Sequence, residues 1–110
     1  MKYIITESKL DRVIFRYLDD KFEGIELKKG KFADIVFVFP GEEYGLMGWK
    51  NHDKLLWSYY KVVTDIEDMF SMRESDALDV IGRYVESKYD LKVNSSDWES
   101  DFFFQVKVDN

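Results

Sequence analysis

The chain has 110 residues, 45% hydrophobic and 17% aromatic, which suits one folded domain and excludes a disordered chain or two separate cores. No cysteine and a single histidine, His52, exclude a disulfide scaffold, thiolate chemistry and a multi-histidine metal site, so neither metal nor cofactor is expected. Sixteen basic and 22 acidic residues leave a net charge of -6, all of it within residues 56–110, and this argues against double-stranded nucleic acid as a ligand.

Leu10, Val13, Ile14, Tyr17 and Leu18 follow the spacing of an amphipathic helix and predict one from Thr6, as N-cap, to about Asp20. Ile25 and Leu27 then alternate with Glu26 and Lys28, and Lys29-Gly30 offers the positive φ of a hairpin turn. Phe32 to Phe39 is almost continuously apolar, as a central strand would be, and Pro40-Gly41 ends it. Tyr44 to Lys50 reads as a weaker strand, Asn51-His52-Asp53 as a turn, and Leu55 to Val63 as the fourth strand of a meander.

Thr64 to Phe70 reads as a short helical turn. A second long helix is expected from Ser71, where Ser71-Met72-Arg73-Glu74 has capping-box spacing, with Ala77, Val80, Ile81, Tyr84 and Val85 facing inward. Asn94 to Asp97 reads as a loop or turn and Phe102 to Val108 as the last strand. The order predicts a single α+β domain over residues 1–110: N-terminal helix, four-stranded antiparallel meander, second long helix and C-terminal strand, compatible with a cystatin-like arrangement.

The opening Ile4-Ile5-Thr6-Glu7-Ser8-Lys9-Leu10 resembles the I-T-E-S-x-L start of many small proteins of tailed, marine-type phages. Tyr59-Tyr60-Lys61-Val62, Phe70-Ser71-Met72, Glu74-Ser75-Asp76 and the run Val80 to Glu86 are similar to one group of these, which has no assigned activity. The resemblance implies a source and no chemistry, and no catalytic residue carries over from it.

Candidate chemistry is sparse. His52 reads as a solvated turn residue rather than a general base, because neighbours in a tight turn diverge. The Gly41 to Gly48 stretch lacks the Lys-Ser/Thr of a phosphate loop. Counting an EF-hand from Asp97 puts Phe102 where glycine belongs and Val108 where the bidentate glutamate belongs. A carboxylate such as Asp97 or Glu99 sharing a cleft with Tyr44 or His52 would revive an enzymatic reading, and otherwise no enzyme is expected.

The aromatics carry more. Strand periodicity places Trp57, Tyr59 and Lys61 on one face, with Trp49 opposite them across the hairpin, as a binding platform or as core. A second candidate is the acidic set Asp65, Glu67, Asp68, Glu74, Asp76 and Asp79, read either as a solvated flank or as a negative surface for a basic partner. No apolar run is long enough for a signal sequence or a membrane span, so a cytoplasmic, membrane-free protein is expected. These features favour a non-enzymatic protein-interaction module with a protein partner and room for a homodimer. The alternatives are an acidic nucleic-acid mimic that inhibits a host protein, and a binder of single-stranded nucleic acid or a small ligand through the sheet aromatics.

Overall fold

A computed structural model describes the backbone of residues 2–99 and 107–109 and the side chains of 9–98 and 107–109. The chain forms helix α1 (Lys2–Lys21), strands β1 (Glu26–Lys28), β2 (Ile35–Val38), β3 (Met47–Lys50) and β4 (Leu55–Tyr59), helices α2 (Tyr60–Phe70) and α3 (Glu74–Tyr89), and strand β5 (Ser95–Glu99). The five strands make one sheet in chain order. The first four are antiparallel neighbours, and β5 runs parallel to β4, pairing Leu55 with Ser95 through Tyr59 with Glu99. Parallel neighbours need a crossover, and the α2–α3 pair supplies it.

The fold is therefore α+β as expected, but its sheet is mixed, and Ser95 to Asp97 lie in a strand where the sequence reads as a turn. Three helices contribute to the core on one face of the sheet, in place of a sheet wrapped around a single helix. Most of the expected last strand, 102–106, lies outside the described residues; Lys107 and Val108 form isolated antiparallel bridges with Tyr44 and Gly30.

Helix boundaries depart from the sequence pattern for identifiable reasons. Thr6 lies inside α1 instead of capping it. The apolar run after Tyr59 leaves the sheet, because Val62, Val63 and Ile66 fall on one helical face and are buried there; burial overrides the β-propensity of valine. Ser71 does not cap α3. It closes α2 in the left-handed conformation, φ 53° and ψ 49°, donating its N–H to the Glu67 carbonyl, and Arg73 precedes α3 without a side-chain cap.

The main core joins Ile14, Leu18 and Phe22 of α1 to the buried faces of α2 and α3 and to Phe37, Met47, Trp49 and Leu56 of the sheet. α1 is rotated relative to the expected stripe: Val13 is 55% exposed, whereas Phe15 packs its ring edge-on against Tyr84 at 5.4 Å. The other sheet face carries a smaller core of Ala33, Val36, Val38 and Val108. Residues 107–109 are sewn over it: Lys31 N donates to the Lys107 carbonyl (2.8 Å), Val108 N to the Glu43 carbonyl (2.9 Å) and Asp109 N to the Lys29 carbonyl (2.9 Å). Gly30 serves this layer by having no side chain, not by a positive φ: a Cβ there would stand 2.5 Å from Val36 Cγ2 and 2.6 Å from the Ala33 carbonyl.

Candidate interaction site

Trp49, Trp57, Tyr59 and Lys61 are not brought together. In the strand register Trp49 sits opposite Leu56 and belongs to the helix-side core, where it is 7% exposed and donates its indole N–H to the Lys92 carbonyl at 2.9 Å. Trp57 sits opposite Gly48, one residue out of phase and so on the other sheet face. Its Nε1 is buried with no hydrogen-bond partner among the described residues, as is the Oγ of Ser58. Tyr59 is half-buried against the main core. Lys61 is not a strand residue at all; it lies in the first turn of α2, 3.8 Å from Asp65. The strand ends too early for Lys61 to share the Trp57 face.

The acidic residues are divided between α2 and α3 and do not form one stripe. At 3.6 residues per turn, Glu67 lies about 200° around α2 from Asp65, and Asp76 about 200° around α3 from Glu74. Asp65 pairs with Lys21 (3.3 Å) and Lys61 (3.8 Å), Asp76 with Arg73 (3.5 Å) and Asp79 with Arg83 (3.5 Å). Glu67, Asp68 and Glu74 have no ion pair among the described residues.

The sequence pattern did not single out the groove between α1, the α2–α3 turn and α3. It encloses about 440 Å³, with Leu10, Phe70 and Met72 as apolar lining and Asp11, Arg73, Asp76, Asp79 and Arg83 as charged lining. Arg83 reaches across to Asp11 with two hydrogen bonds, 2.9 and 3.3 Å, so one wall is fixed to the other. A second tie lies along the same helix pair: Tyr84 donates its hydroxyl to Asp19 Oδ1 at 2.8 Å, and Lys88 Nζ stands 3.1 Å from the same oxygen. The Tyr84 hydrogen bond, helped by Lys88, holds the Asp19 carboxyl below the usual carboxylate range. Burial, reinforced by the Asp19 contact, pushes the Tyr84 phenol up, and burial does the same to Tyr89. Arg83 also lines a smaller cleft of about 280 Å³ between α3 and β5, together with Asp79, Glu86 and Asn94.

The only sequence signal for the groove is Ser71-Met72-Arg73, where an apolar residue stands between polar ones just after a helix pattern ends. Neither cleft is lined by His52, Tyr44 or Asp97. Among the described residues no group of three His, Cys, Asp or Glu side chains is placed to hold a metal ion, and no helix is long and apolar enough to cross a membrane. No family model, curated protein or solved structure matches the chain.

Proposed function

We propose that the chain is a non-enzymatic, phage-derived protein-interaction module whose α1–α3 groove receives a bulky apolar side chain from a partner segment that also carries charge. The observation that carries this reading is the groove's composition: an apolar lining of Leu10, Phe70 and Met72 beside charges that are already paired with one another. Paired charges such as Asp11–Arg83 and Asp76–Arg73 do not converge on an open point where a reacting atom would sit; at a rim they orient a partner and set its approach rate. An apolar anchor in a lined groove with a polar rim is the usual source of affinity in such contacts, and thioether side chains such as Met72 repack readily around it. The volume of about 440 Å³ suits one or two large side chains.

The acidic-mimic reading is less well supported, because Asp65, Asp76 and Asp79 spend their charge on neighbouring Lys and Arg. Stacking of single-stranded bases loses its platform with Trp49 beneath the helices.

A charge placed in the lining tests the proposal. A host protein held by the immobilised parent chain is expected to be released by Met72→Glu and retained by Val13→Glu, which alters an exposed α1 position, with circular dichroism showing both variants folded. Equal retention by Met72→Glu and the parent removes the groove from the account.

A further inference from the structure

Among the described residues β1 is a free sheet edge, and Glu26, Leu27 and Lys28 are all exposed. Leu27 sits opposite Phe37, and so on the helix-side face of the sheet, yet it is 42% exposed while Phe37 is fully buried. The helical layer stops short of this edge. Glu26 and Lys28 occupy the other face, with Lys28 Nζ 3.6 Å from Glu26 Oε1.

We propose that β1 is a self-pairing edge, to which a second copy of the chain adds its own β1 antiparallel about a two-fold axis through Leu27. The three-residue strand is self-complementary in that one register. Glu26 then faces Lys28 of the second copy, Lys28 faces its Glu26, and the two Leu27 side chains meet on the face that the helices leave open. Every neighbouring alignment is worse. Sliding by two residues sets Glu26 against Glu26 or Lys28 against Lys28, sliding by one puts a charge opposite Leu27, and a parallel arrangement lines up like charges. The symmetry is isologous and closes at two copies, joining two five-stranded sheets into one. A seam of three residues falls in the class of small, transient interfaces, below about 1,200 Å². The dimer therefore forms at high local concentration, and a trapping experiment reads it best. This inference uses a surface separate from the α1–α3 groove and does not depend on it.

The cysteine-free chain allows a clean test. Residues directly opposite in an antiparallel pair have Cα atoms about 4.5–5.5 Å apart, within the roughly 4.4–6.8 Å that a disulfide spans. Under mild oxidation Leu27→Cys is expected to give covalent dimer several-fold faster than Val13→Cys, whose residue is also exposed but lies on α1. Adding Glu26→Lys slows that cross-linking about tenfold, since two cross-strand charge pairs per dimer are reversed at once. Exchanging both charges, Glu26→Lys with Lys28→Glu, restores it. Cross-linking of Leu27→Cys no faster than that of Val13→Cys, or a double exchange that stays as slow as the single one, overturns the proposal.

Discussion

Asp19 shows how one carboxylate couples α1 to α3. Its folded pKa lies below the unfolded value, so the stability it contributes is fully present above about pH 4 and is lost as pH falls through the folded value. Asp19→Asn keeps an acceptor for the Tyr84 hydroxyl but removes the charge. The expected outcome is a flatter acid limb between about pH 5 and pH 2, read from urea midpoints at successive pH values; an unchanged limb would place the acid sensitivity elsewhere. The raised phenols of Tyr84 and Tyr89 act at the other end. Their contribution is complete below about pH 10 and lost above it, because burial disfavours the phenolate. None of this coupling was readable beforehand, since Asp19 and Tyr84 are 65 residues apart and nothing in the sequence joins them.

At the scale of elements, close approach of backbones decides where the sheet can bend. A Cβ on Gly45 would stand 2.4 Å from the Phe37 carbonyl oxygen and 2.5 Å from Val36 Cγ1, so Gly45→Ala forces main chain to move. We expect it to cost about 1–3 kcal/mol in chemical denaturation, as overpacking does. A cost near zero would mean that the β2–β3 connection yields freely. The elements that were legible are those whose own apolar pattern matches their burial: the interior strand β2 around Phe37, which is shorter than the expected Phe32–Phe39 and second in the sheet, and the inward stripe of α3 from Ala77 to Val85. The run Tyr60-Lys61-Val62-Val63 misleads because its residues favour strands, and only packing against the sheet makes them helical. β5 misleads in the opposite sense. Ser95-Ser96-Asp97 has turn composition, and what makes it a strand is the crossover that delivers it beside β4. The groove was invisible for a related reason, since its lining comes from three separate elements whose spacing no local pattern encodes.

For the whole molecule the two cores carry unequal risk. The helix-side core is shared among all three helices, whereas the opposite face depends on Val108, 7% exposed, closing over Ala33, Val36 and Val38. Val108→Asp puts a carboxylate against the buried apolar side chains of Ala33, Val36 and Val38. A loss of about 2–4 kcal/mol is expected from thermal or urea unfolding, and a variant as stable as the parent would show that this face is held by other contacts. The partner of Val108 at the bridge is Gly30, 78 positions earlier in the chain. On a ribosome working at roughly 5–20 residues per second, the valines of β2, about 70 positions before Val108, must wait about 3.5 to 14 s between their own synthesis and that of their cover. Throughout that interval the nascent chain offers chaperones a greasy strip that the finished protein hides.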